Sequence, residues 1–136
     1  TLLTRGGKWP GPRTPPRCPG VAGVAVPSRH NNEVSVGIII SDTFGRPWRR
    51  GVTDVAIGCA GVAAVVDLRG TEDALGRELM VTEVCVADEL AAAADLVCGK
   101  AKGIPVALIR GVDSQWLRES SIQDEVIRSP SEDLFR

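Results

Sequence analysis

The chain has 136 residues, of which 43% are hydrophobic and 24% are charged, and its formal net charge is −1. This length allows one domain that buries about two thirds of its unfolded surface, and the two fractions are typical of globular proteins. The small net charge argues against a general nucleic-acid binder. No apolar run approaches the roughly 18 residues of a membrane span, so we expect a cytoplasmic protein with no membrane partner.

Residues 1–33 differ in composition from the rest of the chain. Residues 1–32 hold six of the nine prolines and five Lys or Arg but no acid, so the remainder, with 11 basic and 17 acidic residues, has a formal charge of −6. Adjacent prolines disfavour both helix and central strand. We predict that 1–33 is a disordered leader or sequence foreign to the domain, and that 34–136 is the domain. The alternative is a basic arm that contacts an anion.

The four cysteines and the single histidine exclude several kinds of site. Cys18, Cys59, Cys85 and Cys98 include no C-x-x-C pair, and His30 is the only histidine. This set offers no zinc site and no Ser-His-Asp or Cys-His catalytic group. We predict that the last three cysteines are buried thiols.

The strongest strand signal is the apolar run 36–40, which predicts a buried strand. The run stops at Asp42 and Thr43, whose oxygen atoms are ligands that Mg²⁺ or Mn²⁺ prefers. The following turn carries arginines, including Arg46 and Arg49, and arginine suits phosphate. The combination predicts nucleotide chemistry where this strand leaves the core.

Further strands are predicted over 52–57, 62–68, 78–84 and 105–110. A glycine-flanked bend at 58–61 is a place where the backbone can approach another group closely. The short connections suit antiparallel pairing, because parallel strands need longer crossovers. We therefore predict an α+β fold in which a mixed, mostly antiparallel sheet packs with one main helix.

That helix is predicted over 87–97. Its predicted buried face consists of Val86, Leu90, Ala93 and Val97. Asp88 and Glu89 in the first turn complement the helix dipole, and Gly99 is predicted to cap the C-terminus.

The loop after the helix places two lysines between two glycines. Its residues are Cys98, Gly99, Lys100, Ala101, Lys102, Gly103 and Ile104. The lysines suit phosphate oxygens, but cations after a helix also complement its dipole. The residues alone favour the second interpretation.

Over residues 34–136 the sequence closely resembles the coenzyme F420-0:L-glutamate ligases, in the C-terminal part of that family. The resemblance lies in Ser41–Arg49, Gly51, Thr53–Gly58, Gly61, Asp67–Gly70, Asp73, Gly76–Leu79, Val81–Glu83, Ala87–Ala94, Gly99–Lys100, Gly103–Pro105, Arg110–Gly111, Ile127–Arg128 and Pro130–Arg136. A match this long is more specific than any short motif.

The resemblance implies a function and site residues. Asp42 matches a metal-binding aspartate, and Thr43 matches its neighbour at a second metal. The loop 98–104 matches a nucleotide-binding segment, with Lys100 where some members have an acidic metal ligand. The implied enzyme is a homodimer that uses GTP with Mg²⁺ or Mn²⁺, and also K⁺. It joins L-glutamate to F420-0, and then adds γ-linked glutamates, through an acyl phosphate.

Arg46 and Arg49 form a separate hypothesis that comes from the residues themselves. They are candidate catalytic residues that would clamp phosphate or substrate carboxylates, and the alternative is an ion pair or a solvated turn. The family also has a metal aspartate in its N-terminal half, whereas residues 1–33 contain no Asp. We therefore expect the front of the ligase to be missing, and this chain alone to have little or no activity.

Two other functions remain open. The chain is alternatively a non-catalytic fragment or assembly domain that keeps the ligase fold, or a metal-dependent hydrolase of small phosphates. The terminal residues Leu134 and Phe135 are predicted to dock on the domain.

Overall fold

The computed structural model describes residues 2–4, 22–30 and 33–133. The elements are β1 (Leu2–Thr4), β2 (Ala22–His30), β3 (Glu33–Gly45), β4 (Val52–Ala60), β5 (Val66–Asp67), β6 (Glu83–Val84), α1 (Val86–Cys98), β7 (Val106–Ile109), a 3-10 turn (Ser114–Trp116) and α2 (Ile122–Glu125). The main sheet has the order β1-β7-β2-β3-β4, and β5 and β6 form a small separate sheet. Among the described strands, only the β2–β7 pair is parallel. The predicted α+β class with a mostly antiparallel sheet is confirmed.

The core lies between α1 and one face of the main sheet. The sheet contributes Val24, Val26 and Ile39, all of which are essentially inaccessible to solvent. The most buried stripe of α1 is Ala87, Ala91, Ala94 and Cys98. The predicted stripe is confirmed for Val86 and in part for Leu90, which is half-buried and packs against the core. It was wrong for Ala93 and Val97, which are only half-buried. Small side chains face the sheet because they allow the helix to approach it closely.

A β-bulge in β4 sets which of its side chains face the core. Cys59 pairs with Ile39, but Ala56 pairs with Ser41, so β4 has one extra residue between these two pairs. Beyond the bulge, Thr43 pairs with Asp54. Since directly paired residues share a face, the bulge turns Asp54 and Ala56 inward together with Cys59.

The predicted elements after residue 60 are partly confirmed. α1 ends at Gly99, whose N–H donates to the Asp95 carbonyl oxygen, as the predicted cap requires. The close approach predicted at the bend is confirmed at Gly61, where an added Cβ would lie 3.0 Å from the Val36 carbonyl oxygen. The strand predicted over 62–68 forms only as β5, near the end of that range. Residues 62–64 are buried but do not pair with another strand.

Other differences concern the start of the chain and the fourth predicted strand. The structure has strands at 2–4 and 22–30, where the sequence analysis expects a leader without regular structure. Residues 1, 5–21 and 31–32 lie outside the described residues, so the proposed boundary at 33 stays a prediction. The strand predicted over 78–84 is reduced to β6 and an isolated bridge between Glu72 and Glu78.

Two further findings complete the fold. Cys98 is buried, whereas Cys59 and Cys85 are half-buried, and all three are free thiols; Cys18 lies outside the described residues. Leu134 and Phe135 also lie outside them, so their docking is untested. Within the described part of the chain, every helix is too short or too polar to cross a membrane.

Candidate functional site

The candidate site lies at the end of the main sheet where β3 turns into β4. Gly45 pairs with Val52, so residues 46–51 form the tip of a hairpin. The loop after α1 reaches the base of this hairpin, because Lys100 Nζ lies 2.5 Å from Thr43 Oγ1. Two segments that the sequence analysis singled out independently therefore meet in the fold.

Asp54 is the centre of a polar cluster at this contact. Its side chain is only 2% exposed, and it accepts hydrogen bonds from Ser41 Oγ at 3.3 Å and Thr43 Oγ1 at 3.4 Å. The ammonium of Lys100 forms an ion pair with Asp54 and a longer one, at 3.4 Å, with Asp95. Since a buried carboxylate is costly without a partner, Lys100 is the counterion that lets Asp54 lie in the core.

The electrostatics of the cluster keep this lysine charged. Burial lowers the pKa of Lys100, but the hydrogen bond and charge of Asp54 and the charge of Asp95 outweigh it, so the pKa lies above its usual value. Lys100 is thus committed to an internal ion pair and is a positive charge held at the sheet end. Its side chain is 43% exposed, and its predicted contact with a nucleotide stays a prediction.

Lys102 is the other cation of the loop, and it is exposed. Its aliphatic stem lies over Gly99, where an added Cβ would meet Lys102 Cε at 3.2 Å. It forms no hydrogen bond or ion pair with any described residue. Its ammonium is therefore unpaired within the described part of the chain and can contact a ligand.

Some of the remaining loop residues pack in the core, and the others lie at the surface. Cys98 is buried and Ile104 packs against the core, and burial, with the nearby charges of Asp95 and Asp54, raises the pKa of the Cys98 thiol. Gly99 and Gly103 have positive φ angles of 58° and 66°, while Ala101 is exposed. The surface that the loop presents is thus its segment 100–103.

Asp42 and Thr43 lie on opposite faces of β3. Thr43 shares the inner face with Ser41 and Asp54, whereas Asp42 pairs with Val55 on the outer face. Asp42 Oδ1 accepts a hydrogen bond from the Thr43 N–H at 2.7 Å, and the carboxylate is half-buried. The structure therefore does not bring the two predicted metal-ligating side chains to one point.

The side chains of Asp42 and Thr43 decide whether a divalent ion fits this site. Within the described residues, no three His, Cys, Asp or Glu side chains lie close enough together to hold a metal. The Thr43 hydroxyl is engaged by Lys100, which leaves the Asp42 carboxylate. Mg²⁺ is often held by one or two carboxylates together with substrate phosphates, so Asp42 fits as a single ligand to a metal that arrives with a nucleotide.

The hairpin tip carries three arginines. Arg46, Arg49 and Arg50 are all exposed, and none forms a hydrogen bond or ion pair with a described residue. The structural ion pair considered as an alternative for Arg46 and Arg49 is thus not formed with the described part of the chain. The guanidinium groups are free to bind an anion.

Asp54 and Asp95 are the residues of the site that sequence reasoning missed. Asp54 is adjacent to Thr53 and Val55 within an apparently ordinary strand, and its inward orientation depends on the bulge. Asp95 is one of several acids on α1. The only signal was the acid at 54 within an otherwise uncharged strand, where β-propensity disfavours Asp.

Comparison with known proteins identifies similar sequences over the same region. Residues 27–111 match the family described as F420-0:Gamma-glutamyl ligase. The chain is 48% identical over 106 residues to the "Coenzyme F420:L-glutamate ligase" of Methanopyrus kandleri, which aligns 76% of this chain and 42% of that protein. The protein of the same name from Methanocaldococcus jannaschii is 47% identical over 102 residues, 74% of this chain and 40% of the relative.

A third relative, from Methanococcus maripaludis, has the same name and is 46% identical over 103 residues, 75% of this chain and 41% of its own length. The chain thus spans about two fifths of the length of the curated relatives it matches. The family match contains both the hairpin and the loop after α1.

Proposed function

The chain belongs to the F420-0:gamma-glutamyl ligase family, and from this membership we propose that it takes part in joining L-glutamate to coenzyme F420-0. The proposal includes the later addition of γ-linked glutamates and the use of GTP with Mg²⁺ or Mn²⁺. The observation that carries it is an identity close to one half over more than 100 residues with proteins named as this ligase.

The proposed reaction has two steps. A carboxylate is a poor electrophile, so a substrate carboxylate oxygen first attacks the γ-phosphorus of GTP, which gives an acyl phosphate and GDP. The amino group of L-glutamate then attacks the acyl carbon, the C–O bond to phosphate breaks, and the amide forms with loss of inorganic phosphate and a proton. Both steps need positive charge around phosphoryl oxygens.

The described residues that suit this chemistry are at the hairpin end of the sheet. Lys102 supplies a free ammonium for nucleotide phosphates, and Arg46 and Arg49 supply free guanidinium groups for phosphoryl or carboxylate oxygens. Lys100 orders the loop by its bonds to Thr43 and Asp54. These contacts support a role for Lys100 in positioning rather than in direct binding.

Asp42 is the residue that would hold the divalent metal, as one ligand beside nucleotide phosphates. When bound, the metal would neutralise charge on the phosphoryl oxygens. For K⁺, the described residues suggest no particular site. The remaining ligands would come from nucleotide, water, or parts of the ligase that the longer relatives contain.

Nucleotide binding is the first test. We expect a fluorescent GTP analogue to bind the chain more tightly with Mn²⁺ than without it, and Asp42→Asn to remove the metal dependence. Lys102→Ala should weaken binding with or without metal. Glu119→Gln and Arg77→Ala are matched controls, since both side chains are exposed and lie outside the site. No binding by the unaltered chain, or equal losses in the controls, would reject the proposed site.

The ligase reaction itself is tested by mass spectrometry after incubation with GTP, Mn²⁺, F420-0 and L-glutamate. Because the chain spans about two fifths of its relatives, we expect weak turnover or none from the chain alone. Robust glutamylation that Asp42→Asn abolishes would refute this expectation and support the metal role of Asp42.

An assembly role is the second candidate, and the outer face of the sheet favours it. On β3, Val36, Ile38 and Ile40 are 47%, 54% and 45% exposed. Val106 is 48% exposed and shares this face, since it and Ile40 both pair with Gly23. An exposed apolar face of this kind suits a second copy of the chain, in line with a homodimer.

The oligomeric state tests this candidate. We expect the mass in solution, measured by light scattering, to be that of a dimer, and Ile38→Lys to give a monomer. Leu75→Lys is the matched control, because Leu75 is 77% exposed and lies away from the sheet face. A monomer, or a dimer that Ile38→Lys leaves intact, would reject the assembly role of this face.

A further inference from the structure

The ammonium of Lys100 lies among oxygen atoms that three different elements contribute. Thr43 on β3 accepts a hydrogen bond from it at 2.5 Å. Asp54 on β4 forms an ion pair with it, and Asp95 on α1 forms a second ion pair at 3.4 Å. Two carboxylates and a hydroxyl thus meet at one point through the tertiary fold, and oxygen atoms of these kinds are the ligands that hard cations prefer.

Both carboxylates of this cluster need a cation for reasons of their own. Asp54 is 2% exposed, and a buried carboxylate is costly without an opposite charge. Asp95 lies in the last turn of α1, where the helix dipole disfavours a negative charge. The structure describes α1 throughout, and its last turn contains no basic residue. Lys100 is therefore one ammonium that serves two carboxylates.

We propose that this cluster is a cation site which the chain fills with its own lysine, so that the ammonium of Lys100 takes the place of a bound metal ion. A second metal at Thr43, which the family resemblance implies, does not fit the described residues, because the hydroxyl and the two carboxylates are already bound to the ammonium. The consequence for the ligase reaction rests on the proposed function: one divalent ion is held at Asp42, and Lys100 is the fixed cation on the other face of β3.

Partial exposure of the lysine makes the cluster reachable for a free ion once the side chain is removed. The Lys100 side chain is 43% exposed, whereas that of Asp54 is 2% exposed, so the lysine lies between the buried carboxylate and the solvent. A purely structural ion pair predicts a different result. Without the lysine, Asp54 would take up a proton or the cluster would open, and no metal ion would bind.

Truncation of the lysine removes the ammonium together with its stem and tests the proposal directly. We expect Lys100→Ala to bind an additional Mn²⁺ compared with the unaltered chain, measured without GTP from the electron paramagnetic resonance signal of free Mn²⁺. Mn²⁺ should also raise its melting temperature, because an ion that binds only the folded state stabilises that state. Lys100→Met is the matched control and should gain no ion, since its stem still fills the space and its thioether sulfur is a soft ligand. Lys102→Ala, which removes the unpaired cation of the same loop, should likewise gain none.

Variants of the carboxylates locate the additional ion. Combined with Lys100→Ala, Asp54→Asn should weaken its binding by roughly tenfold or more, because affinity for hard cations depends on the number of charged ligands. Asp42→Asn in the same background should leave it unchanged, because Asp42 lies on the other face of β3. Failure of the proposed nucleotide site at Asp42 and failure of this cation site are therefore separate results.

The folding of Lys100→Ala decides which signal is read. If this variant is unfolded in metal-free buffer, where Asp54 lacks its counterion, recovery of its circular dichroism on addition of Mn²⁺ is measured instead. Equal Mn²⁺ binding by Lys100→Ala and the unaltered chain, no recovery of an unfolded variant, or an equal gain in Lys100→Met or Lys102→Ala would overturn the proposal. So would an additional ion whose binding is insensitive to Asp54→Asn.

Discussion

Replacement of Lys100 by Met removes the cation that neutralises a buried carboxylate and tests the central cluster of the site. Methionine keeps the length of the apolar stem, so the change isolates the charge. Asp54 remains 2% exposed, with only the hydroxyls of Ser41 and Thr43 as donors. We expect Lys100→Met to lower the free energy of unfolding by about 2 kcal/mol.

The expected loss in stability follows from the attraction between the charges of Lys100 and Asp54 and from the partial exposure of the lysine. Opposite charges about 4 Å apart attract by about 4 kcal/mol at an effective dielectric constant of 20. The Lys100 side chain is 43% exposed, so solvent screens part of this attraction, and about half is retained. The loss should exceed that of Lys102→Met, an exposed substitution expected to change stability by less than about 0.5 kcal/mol.

Urea unfolding followed by circular dichroism measures these differences. The double variant Asp54→Asn with Lys100→Met should be more stable than the sum of the single losses predicts, by about 1–2 kcal/mol, because the two side chains interact directly.

The contribution of the Lys100–Asp54 ion pair to stability also depends on pH. The pKa of Lys100 is raised in the folded state, so its stabilisation is fully present below its unfolded pKa of about 10.4 and is lost as the pH rises through the folded value. Equal effects of Lys100→Met and Lys102→Met, or strict additivity in the double variant, would refute the reasoning.

Three further predictions concern stability. The hydrogen bonds from Arg118 lower the pKa of Glu125 to about 2, so Glu125→Gln should cost roughly 1.5–3 kcal/mol at pH 7, and urea unfolding should show this cost shrinking as the pH falls from about 4.5 towards 2. At Gly37 an added Cβ would lie 2.6 Å from the Cβ of the facing valine, so Gly37→Ala should lower stability by about 1–3 kcal/mol in thermal unfolding. Gly58→Ala, which meets nothing within 4 Å, is its control, and equal losses would contradict the packing argument. Trp48 is 99% exposed and has a positive φ of 64°, so Trp48→Asn should raise the free energy of unfolding by up to about 1 kcal/mol, because Asn tolerates positive φ. Thermal unfolding should then show a higher melting temperature, and an unchanged or lower one would show that the tryptophan is not strained.

The strands and the helix with a strong local pattern were predictable from the sequence. The apolar run 36–40 lies within β3, and the helix predicted over 87–97 differs from α1 by one residue at each end. The predicted burial of that run was wrong for Val36, Ile38 and Ile40, which are about half exposed. Residues 62–64 show the limit of such reasoning. They are buried as completely as a central strand, yet they pair with none, because burial selects apolar residues whatever the backbone conformation. β2 was missed because its proline and its glycine resemble those of the preceding segment.

The segments of the candidate site were predictable, but the pairing of their side chains was not. The resemblance implied Asp42 and Thr43 as metal ligands and Lys100 as part of a nucleotide-binding loop. In the fold, strand alternation separates the first two, and Lys100 turns inward to Asp54. Both outcomes depend on which residues share a face. Local patterns cannot supply that information where a strand contains an irregularity.

The single additional residue near Ile57 in β4 decides the chemistry at this end of the molecule. If β4 alternated without interruption from Cys59, its inward positions would be 57, 55 and 53, and the space beside Thr43 would receive no acid. Deleting Ile57 removes this extra residue, so Ala56 then follows Gly58 directly in the pairing and Asp54 stays opposite Thr43 on the inner face. The ammonium of Lys100 keeps its main counterion, and we expect acetic anhydride to acylate Lys100 in that variant at the same rate as in the unaltered chain, read by mass spectrometry; a faster rate would contradict this pairing. The bulge thus allows Cys59 and Asp54, which are an odd number of positions apart, to face the interior together.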